Sequence, residues 1–394
     1  MLSKIPTPLR PIARLFILQQ FFSTVVLLFP VYILAMNDFG FAATTISSLM
    51  SLYYLVGFVF EIPSGVWADQ FSRRKVLLQA EIVCIAAFAI IGLFPTVIGF
   101  AVGLALWSLR STMYSGTYDA YMYDELAYYD GAEHFGLVRS QAKIAQWAGV
   151  TLSSIGILVY HDFGWQIVAS ISVAVRILSF WMLYKMPEVG KVKPEEHIPF
   201  KTQFVDGFKA MRERPIIAWI GLYSCSYGLI WILFEYRALL AKDWSLSPLI
   251  TTVFVAGCSG ALCLGSYLST RWHNDGWSRI LSLGLAIATL MLAAFASHWG
   301  ILSAALFLIG MVLYQLWLIR SGVMLQHATP SAVRATTGSI VNFTDAVLSI
   351  ALVQFLGWMA GDPPHYLPAA QILSFIGFVL ALGLLVFYGL KKRA

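Results

Sequence analysis

Arg110, Tyr114 and Tyr118 follow one another at four-residue intervals within an apolar run, so a helix would carry all three on nearly one face. Far downstream, Asn342 and Asp345 stand three apart in another apolar run. A charge placed at the centre of a bilayer costs at least ~2.5–3.5 kcal/mol on insertion scales, so each such charge is a functional candidate by default. The chemistry on offer is recognition and proton exchange rather than bond breaking. A guanidinium such as Arg110 can hold an anionic group, and tyrosine and tryptophan present flat surfaces with one polar end. A desolvated carboxylate is easier to protonate near neutral pH than a solvated one. Asp345 is therefore the first candidate for carrying a proton, with Glu235 and Asp119 as the next. Gln146, Trp147, Tyr227, Trp231, Tyr314, Gln315 and Asn342 join Arg110, Tyr114 and Tyr118 as candidates for holding a small molecule. Glu61 and Glu81 fall nearer the ends of their runs, where snorkelling or gating pairs explain them equally well. Arg176, midway along its run, has no evident role.

Other readings of these residues remain open. Aromatics form 15% of the chain, and many such side chains serve only as interface belts or packing. Arg110 and Asp345 could equally be a structural pair holding helices together. The pattern His-Glu-x-x-His, the Cys-x-x-Cys pair, the Gly-x-Ser-x-Gly elbow and the Walker loop are all missing, and the seven histidines fall in or near loops. No enzyme, metal or cofactor is expected, and no transport powered by the chain's own ATP hydrolysis.

The elements that must position these residues follow from composition. Hydrophobic residues are 59% of the 394, and charged residues only 12%, about half the usual share. A bilayer core of roughly 30 Å needs about 20 apolar residues per helix, which predicts an all-α membrane protein of about twelve transmembrane helices. The runs place spans 1 to 6 near 12–35, 43–68, 76–94, 98–122, 136–160 and 164–184. Spans 7 to 12 fall near 216–240, 247–270, 278–296, 299–322, 334–360 and 367–390. The four cysteines lie inside apolar stretches, against a disulfide framework. With the first residues in the cytoplasm, 22 of the 26 lysines and arginines fall on the inner side and only Lys242 in an outer loop. The net charge of +6 is thus a topology signal, and nucleic acid is excluded as a partner. Both termini are expected inside, in a bacterial inner membrane.

The polar stretch 185–214 divides the chain into expected domains 1–184 and 215–394. Within it Phe200, Phe204, Phe208 and Met211 recur at helical spacing, which fits an amphipathic surface helix. A flexible tether explains the stretch equally well. Span 5 opens Val138-Arg139-Ser140 and span 11 opens Val333-Arg334-Ala335, a faint echo placed where two six-helix pseudo-repeats would put it.

The loop between spans 2 and 3 reads Gly65-Val66-Trp67-Ala68-Asp69-Gln70-Phe71-Ser72-Arg73-Arg74-Lys75. It resembles the G-x-x-x-D-[RK]-x-G-[RK]-[RK] signature of the major facilitator superfamily, with departures at Gln70 and Ser72. Phe60-Glu61-Ile62-Pro63-Ser64 and Arg334-Ala335-Thr336 resemble the bacterial drug-exporter-like branch. Independently of the family, Gly65 allows close helix approach, and Asp69 at the boundary needs a partner, which Arg73 one turn on can supply. The resemblance implies that Gly65, Asp69, Arg73 and Arg74 lock span 2 against span 11 in the outward-facing state, with Asp124 added to the cluster. It also implies an antiporter-like role for Arg110, although Gly116 comes two residues late for R-x-x-x-G. The exporters' G-x-x-x-G-P on span 5 is missing: Gly149 and Gly156 have no following proline. The expected function is secondary transport by a monomer in the lipid bilayer, with protons and a small molecule as partners. Proton-coupled efflux of an amphipathic compound or secreted metabolite leads. The alternatives are uptake of an organic acid, sugar or peptide, and a membrane enzyme or receptor on the same scaffold.

Overall fold

The computed structural model describes residues 5–70, 72–115, 117–188, 228–271, 277–328 and 334–393, with backbone only at 62–70, 277, 325–328, 334–343 and 387–393. Among the described residues every regular element is a helix, as expected in a medium that cannot hydrogen-bond an open backbone. In chain order these are α1 (Arg10–Thr24), α2 (Tyr32–Asp38), α3 (Ala43–Gln70), α4 (Arg73–Leu93), α5 (Val97–Tyr114), α6 (Thr117–Tyr128), α7 (Phe135–Ser153) and α8 (Gly156–Phe163). Then follow α9 (Trp165–Tyr184), α10 (Gly228–Glu235), α11 (Arg237–Asp243), α12 (Pro248–Thr270), α13 (Trp277–Ala296), α14 (Gly300–Ala328), α15 (Arg334–Ala360) and α16 (Leu367–Arg393). Nine stretches among the described residues are long and apolar enough to cross a membrane, two of them formed by α5 with α6 and by α7 with α8. The chain is a multi-pass membrane protein. The stretch 189–227, which holds most of the central polar segment and the start of span 7, lies outside the described residues.

Span 1 is not the continuous 12–35 helix that its hydropathy suggests. It stops at Thr24, turns through residues 25–31 and resumes as α2. Pro30 has no backbone N–H to continue the helix, and its ring would meet the carbonyl one turn earlier. That carbonyl, on Val26, accepts instead from Phe29 N at 3.0 Å. The freed donors find side chains: Val26 N donates to Ser153 Oγ at 2.8 Å, and Leu28 N to Ser172 Oγ at 3.1 Å. Gly149 and Gly156, seven residues apart, bring the α7–α8 segment against the break. A Cβ at Gly149 would lie 2.4 Å from Thr24 Oγ1, and one at Gly156 2.3 Å from the Leu27 carbonyl. Irregular backbone at membrane depth is tolerated where protein satisfies it, and here two serines and two glycines do so.

By its contacts the chain divides into two units, Met1–Phe41 with Leu49–His197, and Ala42–Ser48 with Ile198–Ala394. In the first, α1 packs on α7 and α9, and α4 on α5 and α9. Trp107 gathers Phe29, Tyr32, Tyr53 and Phe88 around its ring, the nearest at 4.9 Å between centroids. In the second, α14 packs on α12 and α13, and α16 on α13 and α15. Trp244 stacks on Phe295 and meets Phe254 and Phe307 edge-on. The Asp243 carboxylate accepts from Tyr366 N at 2.6 Å and Leu367 N at 3.3 Å, so a residue from α11 caps the start of α16.

Candidate functional site

The densest chemistry in the first unit is a cluster of three charges inside the helix bundle. Glu81 on α4 is completely buried, against the expectation of a snorkelling or gating group near a helix end. Its carboxylate is 3.3 Å from the guanidinium of Arg110 on α5 and 3.3 Å from that of Arg176 on α9. Three different helices supply the cluster, so it clamps α4, α5 and α9 together. Arg176, which sequence reasoning left without a role, is its third member, 3% exposed and 5.6 Å from the Phe88 ring centroid. Two guanidiniums share one carboxylate, and the Nε of each is buried without a hydrogen-bond partner. The cluster thus carries an excess positive charge.

Arg110 also lies over the ring of Tyr114, 4.1 Å from its centroid, a cation–π contact that extends the cluster along α5. The four-residue spacing does bring Tyr114 and Tyr118 together: their rings stack at 5.0 Å and 15°. Both are fixed through α1. Tyr114 donates to Gln19 Oε1 at 2.9 Å, Gln19 Nε2 donates to Ser179 Oγ at 3.3 Å, and Tyr118 donates to the Phe16 carbonyl at 2.7 Å.

On the other side of the tyrosines opens a small recess of about 230 Å³. Its walls include Gln20, Tyr114, Tyr118, Met122, Asp119, Arg139, Lys143 and Gln146. Gln20, Tyr114, Tyr118, Gln146 and Asp119 are polar or aromatic candidates from the sequence, in which Lys143 counts only towards topology. Asp119 is engaged by Arg139, whose Nε and Nη2 both donate to Oδ2 at 2.9 and 2.6 Å. The Lys143 ammonium donates to Gln146 Oε1 at 2.9 Å. Trp147, next in sequence, is half-buried outside this wall.

The loop motif is organised around Arg73 and Arg74. Arg73 pairs with Asp124, as the resemblance implies, and donates to the Ala120 carbonyl at 3.2 Å. The side chains of Gly65 and Asp69 lie outside the described residues, as does Gly116. Ser72, which stands where the signature has glycine, has φ −60°, a region any residue adopts, and its hydroxyl accepts from Lys75 N to cap α4. Arg74 reaches the end of α9: it bonds the carbonyls of Leu183 and Tyr184 and pairs with Glu188 at 3.2 Å. The hydroxyl of Ser72, with Arg74 and Lys75 nearby, holds the Glu188 carboxyl below its ordinary value.

In the second unit Asp345 on α15 has no ion pair among the described residues. Its carboxylate sits against Gly228, the first residue of α10, where a Cβ would come within 2.5 Å of Oδ1. Tyr314 is buried on α14, and Gln315 donates to Ser266 Oγ at 3.1 Å. Trp231 is 36% exposed and stacks on Phe234. Glu235 and Arg237 lie on separate helices because the chain breaks at Tyr236, and the Arg237 guanidinium turns back over the Phe234 ring at 4.1 Å. Tyr227 and the Asn342 side chain lie outside the described residues.

Among the described residues, helices throughout, a broken first span, and a buried charge cluster behind a polar recess fit a membrane transport fold. The family model of the Major Facilitator Superfamily matches residues 15–354. The chain belongs to that superfamily, and it is a transporter rather than an enzyme. Its fold is similar to the crystal structure of the nucleoside transporter NupG, with TM-score 0.76 and 13% identity over 96% of this chain and 98% of that one. It is also similar to the POT family transporter PepTSo, with TM-score 0.70 and 13% identity over 99% of each chain. The D-xylose–proton symporter follows with TM-score 0.68 and 17% identity, over 94% of this chain and 95% of that one. No curated protein sequence matches the chain.

Proposed function

We propose that the chain is a proton-coupled secondary transporter that exports an amphipathic small molecule by alternating access. In this reading it works as a monomer in a bacterial inner membrane, with twelve spans in two six-helix repeats and both termini inside. The observation that carries the reading is the recess of the first unit, where stacked Tyr114 and Tyr118 adjoin Asp119, Arg139, Lys143 and Gln146. An aromatic face among several polar and charged groups can seat a flat body and fix its orientation. Asp345 is the proposed proton carrier, supported by its place on α15 without an ion pair among the described residues. Asp119 is less suited, being engaged by Arg139.

Uptake of an anionic nutrient drew its support from Arg110 as the anion holder. That guanidinium is already engaged by Glu81 and Tyr114, so Arg110 is a poor holder for an anionic group, and the direction of transport is decided by the gradient assay. The test is transport by purified protein in liposomes, with an imposed proton gradient and a panel of amphipathic compounds. Accumulation on the acidic side, abolished by an uncoupler, is the expected result. Accumulation on the alkaline side would establish uptake, and gradient-independent equilibration would remove proton coupling.

A further inference from the structure

We propose that the recess of the first unit selects organic anions, seating a flat apolar body against the Tyr114–Tyr118 stack and an anionic group on Lys143. The inference rests on the transporter reading and gives it a substrate class. The observations are those of charge and engagement. Of the two cations in the recess wall, Arg139 is held by both donors to one oxygen of Asp119. Lys143 forms no ion pair among the described residues: its ammonium bonds the neutral Gln146 amide at 2.9 Å, and Asp119 attracts it only from a distance. The amide fixes where the ammonium sits without neutralising it, and an ammonium carries three donors, leaving two for a ligand.

The surroundings add to the same sign. Two cations face one carboxylate in the wall, and immediately behind Tyr114 two guanidiniums share the single carboxylate of Glu81. A concave site with low-dielectric walls focuses such a field on its contents. A cationic ligand would also lose its best aromatic partner, because the ring of Tyr114 already receives Arg110 at 4.1 Å. An aromatic or fused-ring carboxylate, sulfonate or phosphate meets the open groups at once: Tyr114 along its body, Gln146 beside its polar edge, and Lys143 at its charge.

The discriminating experiment uses three probes with one ring system: 1-naphthoate, 1-naphthalenemethanol and 1-naphthylmethylammonium. Each is titrated calorimetrically into the purified full chain in lipid nanodiscs. The expected order is naphthoate tightest, with the ammonium at least about tenfold weaker. K143Q should weaken naphthoate about tenfold and leave naphthalenemethanol unchanged, whereas K143R should retain the preference for the anion. Lys143 is exposed and carries one neutral hydrogen bond, so these variants leave the fold intact, which unchanged naphthalenemethanol binding verifies. Equal affinity for the anion and the ammonium, no naphthoate binding at millimolar concentration, or a K143Q protein that binds naphthoate as the parent does would each overturn the inference. Translocation is measured separately in liposomes. Selective naphthoate binding with no translocation would sustain the anion site and remove the transport reading. Translocation of all three probes alike would do the reverse.

Discussion

Replacing Glu81 by glutamine removes one charge and almost no volume, and the structure gives the consequence a size. The carboxylate is wholly buried and lies 3.3 Å from Arg110 and from Arg176, whose side chains are 12% and 3% exposed. In E81Q two guanidiniums would face each other with no counter-charge between α4, α5 and α9. Removing one partner of a buried ion pair costs about 3–5 kcal/mol, because the charge left behind has lost its solvation as well. Unfolding entropy near 2.1 cal/mol/K per residue, applied to the first unit of about 190 residues, gives about 0.4 kcal/mol per degree. The expected fall in melting temperature is therefore about 8–12 °C, read as loss of the monodisperse peak of detergent-solubilised protein after heating. The double variant E81Q/R176Q should recover part of that fall, since it leaves one unpaired guanidinium rather than two. A fall of less than about 2 °C in E81Q would refute the reasoning, because it would mean the cluster is solvated and clamps nothing.

If Asp345 carries the proton, D345N should abolish gradient-driven accumulation yet retain exchange of cargo between the two sides, and full accumulation by D345N would move the proton elsewhere. G228A should reduce gradient-driven transport several-fold more than exchange, because the new Cβ would come within 2.5 Å of the Asp345 carboxylate; identical losses in both assays would make it a packing variant only. The Glu188 carboxyl is held below 4.5 in the folded protein, so its contribution to anchoring the end of α9 is complete above pH 4.5 and is lost as pH falls through the lower folded value. Amide protection at 72–76, corrected for the intrinsic pH dependence of exchange, should therefore be equal at pH 5 and pH 7 in the parent and weaker at both in E188Q; equal protection in the parent and E188Q would remove the anchor. A cysteine in place of Lys193 should resist membrane-impermeant maleimides in intact cells and react in inverted vesicles, and labelling in intact cells would overturn the proposed orientation.

The sequence made legible what is local and left hidden what is paired at a distance. Most membrane helices follow from hydropathy within a few residues, α4, α9, α12 and α13 among them, because twenty apolar residues suit little but a span. Only Pro30 marks the break in span 1 in the sequence, since Val25 to Phe29 are as apolar as a helix interior. What sustains the broken backbone is Ser153 and Ser172, more than 120 positions away, which supply the hydrogen bonds the turn lacks. Gly149 and Gly156 were visible only as an incomplete exporter motif, whereas their physical role is to admit the Thr24–Leu27 backbone.

The charges show the same limit from the other side. Glu81, Arg110 and Arg176 are each conspicuous in an apolar run, but no spacing rule joins positions 29 and 95 residues apart. Once joined, they change what Arg110 can do: a guanidinium held by a buried carboxylate and a tyrosine face is a poor first contact for cargo. Lys143 undergoes the opposite change. Counting charges by loop assigns it to the cytoplasmic side and stops there, because a topology rule records the sign and membrane depth of a residue but not its direction. The structure shows this lysine on the wall of the recess, bonded to a neutral amide and in no ion pair among the described residues. If Lys143 orients the chain during insertion, it remains free to select the cargo afterwards, since neither role neutralises the charge that the other needs.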